Sequence, residues 1–294
     1  MSEQTDLPSV EGLASGKGHH DENFPVASWL VRADARAPIL AYYRFARAAD
    51  DIADNDAAPA AERLRLLAHM RRGLEGPDAA QGAPEAQALG DVCRARDLPL
   101  AHAHELLDAF EQDCRVSRYH DWEGLIAYCR LSAMPVGRYV LDVHGEDRAI
   151  WPLSDALCAA LQIINHLQDC GKDYRQIDRV YIPLPLLHAV GLDETALGAA
   201  RARPELLGVI RLLTEKTQGL LRQSAPFARA IRDVRLATEV AVIQRLAEDL
   251  CGLLLTRDPL SEVVHHSKPR AGWLAAGAAL GLLARRALPA GGRK

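Results

Sequence analysis

Aromatic residues are scarce in this sequence, 5% of its 294 residues, and no long hydrophobic run is present. The longest apolar stretch, Trp273 to Ala284, lies between Arg270 and Arg285 and is too short to span a bilayer, which needs about 18 apolar residues. It reads as a buried helix, with a membrane-surface helix as the alternative. Charge of one sign is also lacking: 35 basic against 39 acidic residues give a formal net charge of −4, so no basic footprint for nucleic acid exists. The six cysteines, Cys93, Cys114, Cys129, Cys158, Cys170 and Cys251, form no CxxC pair. Scattered thiols and a polar start without a secretory apolar run indicate reduced cysteines and a cytoplasmic location. No period-2 strand of useful length occurs, and no 20- to 50-residue repeat.

What is present is alanine, apolar helical spacing and an ordinary globular balance, 49% hydrophobic and 25% charged. The spacing predicts helices over 38–54, 60–74 and 101–116. Asp121 caps a helix to about His144 that Pro135 kinks or interrupts, and Ser154 caps one running to about Tyr174. Two long helices over 204–224 and 226–256 follow, then the alanine-rich tail. Residues 1–22 read as a flexible leader, and 23–294 as a single all-α domain, a bundle whose site lies inside it.

Two acidic clusters carry the chemistry. In Asp50-Asp51-Ile52-Ala53-Asp54, Asp50 and Asp54 share one helix face, about 6 Å apart, while Asp51 points elsewhere. Carboxylates so placed repel each other and call for a cation, and oxygen-only ligands suit Mg²⁺ completed by water and phosphate. Alone, this cluster reads equally well as a solvated helix end. The second cluster, Gln162, Asn165, Asp169 and Asp173, falls at wheel angles of about 0°, −60°, −20° and +20°. That stripe contains no lysine or arginine, and its helix is otherwise apolar at Leu157, Leu161, Ile164 and Leu167. Unpartnered, such groups would cost several kcal/mol on burial, so metal, water or substrate is expected to satisfy them. His166 lies just past the edge of the stripe and receives no role; His19-His20 and His265-His266 read as exposed pairs.

These residues carry a family resemblance over about residues 20–255. DDIAD and QIINHLQDCGKD resemble the two aspartate-rich motifs of the squalene and phytoene synthase family of head-to-head isoprenoid synthases. Tyr128-Cys129-Arg130, Met134-Pro135-Val136-Gly137 and Arg179-Val180-Tyr181-Ile182-Pro183 extend the match. GKGHHDENFPVAS, YYRFARAADDIAD and HLQDCGKDY look like the bacterial hopanoid-pathway subgroup.

The resemblance implies an isoprenoid synthase helical bundle with a central apolar cavity. It implies several Mg²⁺ ions on Asp50, Asp54, Asn165, Asp169 and Asp173, with Gln162 beside them. Tyr43 and Arg47 match positions lining the diphosphate site, Tyr128 the tyrosine near the reacting carbons, and Phe24 a cavity position. The implied substrate is presqualene diphosphate, ionised and captured by water to give hydroxysqualene, with no NADPH. Contact with a membrane at product release would follow from so apolar a product. Many condensing members carry arginine where this chain has Gln168, which counts against condensation of two farnesyl diphosphates, or of larger prenyl diphosphates to phytoene, as the runner-up. No counterpart of the family's C-terminal tyrosine is evident after about Arg245. A non-catalytic helical metal-binding protein is the alternative of another class.

Overall fold

The structure, a computed structural model, describes residues 32–55, 57–76 and 83–287. Among them there are helices and no strands, only one isolated parallel bridge between Arg118 and Val180. Four helices form an N-terminal layer: α1 (Ala33–Ala53), α2 (Ala60–Gly73), α3 (Pro84–Arg96) and α4 (Ala101–Asp113). They bury one apolar cluster around Phe45, Leu67, Met70 and Leu107, into which Tyr139 of a later helix is inserted. The larger cluster is built on α5 (Trp122–Ser132), α6 (Met134–His144), α7 (Trp151–Gln168), α8 (Cys170–Ile177), α9 (Leu184–His188), α10 (Pro204–Ser224), α11 (Phe227–Ala230) and α12 (Val234–Leu254). Helix α7 is its axis and packs against α5, α6, α10 and α12. All six cysteines are free thiols.

Several boundaries differ from the sequence expectation. Helix α1 begins at Ala33, so Pro38 lies inside it rather than in its first turn, and the Pro38 carbonyl accepts a bond from Tyr139 Oη at 3.2 Å. Pro135 interrupts the predicted 121–144 helix: Ala133 leaves helical geometry (φ −125°, ψ −45°), and Pro135 falls in the first turn of α6, where its missing N–H costs nothing. Asp121 does cap α5, accepting from Gly124 N at 2.6 Å. Ser154 is no cap, because α7 starts at Trp151. The helix expected over 226–256 is split at Ile231–Asp233, where Asp233 caps α12 by accepting from Arg235 N and Leu236 N. Helix α3 was not anticipated. Any side chain at its Gly90 would collide with the Leu74 backbone, so the glycine marks close helix packing. The same holds in α6, where a methyl at Gly137 would strike Ser154 and Cys158 of α7.

The tail helix α13 (Lys268–Ala287) corrects a further expectation. It packs on α12 but buries only Leu282, leaving Trp273 84% and Leu280 68% exposed. Among the described residues no helix is long and apolar enough to cross a membrane.

Candidate active site

A cavity of about 590 Å³ lies where the two layers meet. Its volume falls within the range of ligand pockets, about 300–1,000 Å³. Its walls are apolar: Ile39 and Tyr42 from α1, Phe110 from α4, Val140 from α6, Leu157 from α7 and Ile243 from α12 are among them. Most of its polar lining comes from the ends of α1 and α7, from α8 and from the loop that follows α8, with Asp113 of α4, Tyr128 of α5 and Glu239 of α12 added.

Both acidic clusters reach this cavity. Asp50 and Asp54 line it from the last turn of α1, and Gln162, Asn165, Asp169 and Asp173 from α7 and α8. The second stripe survives a break in its helix. Asp169 separates α7 from α8 (φ −98°, ψ 7°), but Asp169 N still donates to Asn165 O at 2.9 Å and Asp173 N to Asp169 O at 2.8 Å. The one-face spacing therefore holds across the kink. Tyr43, Arg47 and Tyr128 also line the cavity, so every predicted site residue within the described part is brought together. Phe24, the leader and His19-His20 lie outside the described residues.

The first cluster is charge-paired. Arg47 donates to Asp50 Oδ2 at 2.8 Å and to Asp51 Oδ1 at 3.2 Å, so Asp51 is the partner of Arg47 rather than a cavity residue. Asp54 accepts from Arg179 Nη1 at 2.7 Å. Arg179 was quoted in the sequence only as part of a matching loop, without a role. It is buried and lines the cavity; burial disfavours its charge, but Asp113, Tyr181, Asp54 and Tyr128 together hold it on. Its loop is pinned at several points: Asp178 takes a left-handed turn (φ 49°), Arg179 N donates to Asp173 O, and Val180 N donates to Ser117 O at 2.9 Å.

Among the described residues, Asp169 and Asp173 form no ion pair. Burial, then the neighbouring Asp169 carboxylate, pushes the Asp173 carboxyl up to about 7. Nor do any three His, Cys, Asp or Glu side chains among the described residues gather as a self-sufficient metal cage. An all-oxygen donor set with an uncompensated carboxylate pair and no closed cage fits a hard cation that keeps waters and is completed by phosphate.

An aromatic wall stands beside these carboxylates. Tyr128 is buried, and its hydroxyl donates to Asp113 Oδ2 at 2.9 Å. Its ring centroid lies 5.5 Å from Tyr119, 5.7 Å from Tyr181 and 6.0 Å from His166. His166 stacks on Tyr181 with centroids 3.4 Å apart and planes at 13°, and its Nε2 sits 3.1 Å from the Gln162 amide nitrogen. Burial and the nearby Arg179 hold the His166 pKa down to about 3, so the ring is neutral. His166, Tyr181, Arg179, Asp113 and Glu239 are among the polar cavity residues to which sequence reasoning gave no role. Only His166, one step from the stripe, had a usable local signal.

Two smaller expectations fail. Gln168 is buried and does not line the cavity; its amide donates to the Val264 carbonyl and approaches His265 Nδ1 at 3.3 Å. Its identity therefore says nothing about how many diphosphates the cavity holds. His266 is not exposed but bonds to Asp249 at 3.0 Å, beside the Arg270–Asp249 pair.

Helices closing on an apolar cavity, with carboxylates from two of them at its polar end, define an all-α isoprenoid synthase. The chain matches the squalene/phytoene synthase family over residues 17–270, and it belongs to that family. It is 51% identical over 277 residues to a hydroxysqualene synthase of Zymomonas mobilis, covering 94% of this chain and 93% of the relative. A hydroxysqualene synthase of Sinorhizobium fredii is 44% identical, with 98% of each chain covered. Among solved structures, squalene synthase HpnC from Alicyclobacillus acidocaldarius superposes with a TM-score of 0.68 at 31% identity, covering 79% of this chain and 88% of that one.

Proposed function

We propose that the protein is a hydroxysqualene synthase that ionises presqualene diphosphate and captures the resulting cation with water. What carries this reading is one coincidence: a half-exposed carboxylate rim over an apolar cavity, in a chain whose 44–51% identical relatives bear that name. The diphosphate head sits between the two acidic clusters and the hydrocarbon arms lie against the apolar walls. Asp50, Asp54, Asn165, Asp169 and Asp173 are the residues that would hold Mg²⁺. Bound there, Mg²⁺ neutralises charge on the leaving diphosphate and orients it. The family is typically dependent on a divalent metal.

The chain's own residues do the rest. Arg47 and Arg179, which line the cavity beside Asp50 and Asp54, would supply guanidinium donors to the phosphate oxygens. Tyr43 and Gln162 line the same end of the cavity and position the head. The faces of Tyr128 and the rings around it stabilise positive charge as the cyclopropylcarbinyl cation rearranges to an allylic one. The neutral His166 adds no competing charge there.

Turnover tests this directly. Purified protein with Mg²⁺ and no NADPH is offered presqualene diphosphate and farnesyl diphosphate separately, and products are read by mass spectrometry. Hydroxysqualene from presqualene diphosphate is the expected result. Presqualene diphosphate accumulating from farnesyl diphosphate would make this a condensing enzyme instead, and since Gln168 faces away from the cavity, only such an assay separates the two.

The apolar product adds a membrane contact to the reading. Trp273, Leu280 and Leu283 fall within about 80° on one side of α13, opposite the buried Leu282. Arg270 and Arg285 bracket the apolar stretch in sequence but lie off this face, and Arg270 pairs with Asp249, so the contact rests on the apolar side chains. Cosedimentation with phosphatidylglycerol vesicles, lost in Trp273→Ser/Leu280→Ser, is the expected outcome; binding unchanged by those substitutions would refute it.

A further inference from the structure

Two carboxylates in the cavity, Asp113 and Glu239, belong to neither acidic cluster, and Asp113 is the one bonded to the aromatic wall. Asp113 is the last residue of α4, 8% exposed, and it lines the cavity beside the aromatic wall. Its Oδ2 accepts from Tyr128 Oη at 2.9 Å. Its Oδ1 is buried and has no hydrogen-bond partner among the described residues. A buried carboxylate oxygen left in this state costs free energy unless water or ligand supplies a donor. The tyrosine fixes the carboxylate's orientation and leaves the second oxygen as an acceptor.

We propose, resting on the hydroxysqualene synthase reading, that Asp113 is the catalytic residue that holds the capturing water and takes its proton. When the carbon–oxygen bond to diphosphate breaks, the diphosphate leaves with the bonding pair. Ring opening gives the allylic cation beside Tyr128. A lone pair of the water held on Asp113 Oδ1 forms the new carbon–oxygen bond, and one proton of that water passes to Oδ1. The products are a neutral alcohol and a neutral carboxyl, which returns its proton to solvent after the alcohol departs. Burial already pushes the Asp113 carboxyl up to about 6, against the opposing pull of Arg179, so it suits proton acceptance near neutral pH. A water anchored here lies on the side of the aromatic wall rather than among the ligands of the diphosphate.

Asp113→Asn, which keeps the shape and removes the base, separates ionisation from capture. Presqualene diphosphate is supplied with Mg²⁺ in water enriched in heavy oxygen, and diphosphate release and organic products are measured independently. Diphosphate release is expected to stay within about threefold of wild type, while labelled hydroxysqualene falls about 10²-fold and C30 hydrocarbons formed by loss of a carbon-bound proton replace it. Asp113→Ala is expected to give the same partition, with added formate restoring the alcohol. An unchanged alcohol share in both variants overturns the proposal. So does a parallel fall of diphosphate release and alcohol in variants with wild-type helical signal, or loss of fold in both, which would make Asp113 a structural residue. Wild-type protein that makes no hydroxysqualene breaks the functional reading itself and the Asp113 role with it. Failure of the Asp113 role alone leaves wild-type alcohol formation intact.

Discussion

The two acidic clusters look alike in sequence and differ in the structure. Asp50 and Asp54, on α1, are held by Arg47 and Arg179, whereas Asp169 and Asp173, at the α7–α8 break, have no ion-pair partner among the described residues. The first cluster is thus partly neutralised without metal, Arg47 being shared between Asp50 and Asp51, and the second is not. Burial and mutual repulsion leave Asp173 at about 7, so at neutral pH the fold carries a carboxyl that is only partly ionised. The difference teaches that the rim is half built: one side brings its own cations, and the other waits for them.

Substitutions that break this comparison should have unequal effects. The largest is expected for Asp169→Asn, which lowers the rate of diphosphate release by about 10³-fold, as loss of a group stabilising developing charge does. Arg179→Gln comes next. It leaves buried Asp113 and half-buried Asp54 without their cation and should cost about 3 kcal/mol in urea unfolding, with turnover lost as well. Asp173→Asn acts in the opposite direction on stability. The folded pKa lies above the ordinary value, so the native state gains from the proton below that range and loses this as pH rises through about 7. In metal-free buffer at pH 8 the variant should therefore melt at least about 3 °C above wild type, the gap closing as pH falls toward 4, while activity is lost. Gln168→Arg should be the smallest: removing the tether to Val264 costs about 1 kcal/mol, and the choice between presqualene and farnesyl diphosphate does not change.

Much of this architecture was legible in the sequence because helices announce themselves by local period. The ligand stripe on α7 and α8 needed only 3.6-residue spacing, and its hydrogen bonds run through the kink at Asp169. What stayed hidden depends on contacts between distant segments. The pairing of Arg179 with Asp54 joins a loop to a helix far earlier in the chain, and Gln168, adjacent to a key aspartate, turns away to Val264. Asp113 ends a helix that looked wholly structural, and nothing near it in sequence marks it as a cavity residue. Helix α3 was not read from the sequence, and the role of its Gly90, close approach to Leu74, is visible only in the packing. The tail helix misled in the other direction: its alanine-rich composition suggested burial, but only Leu282 is covered.

The most direct test of the half-built rim is thermal melting of the wild-type protein with Mg²⁺ alone, inorganic diphosphate alone, and both together. With no closed cage of three acidic or imidazole ligands among the described residues, each alone should shift the midpoint little. Both together should raise it by more than the sum of the separate shifts, as mutual linkage requires. A full shift from Mg²⁺ alone, or additive shifts from the two, would contradict the account.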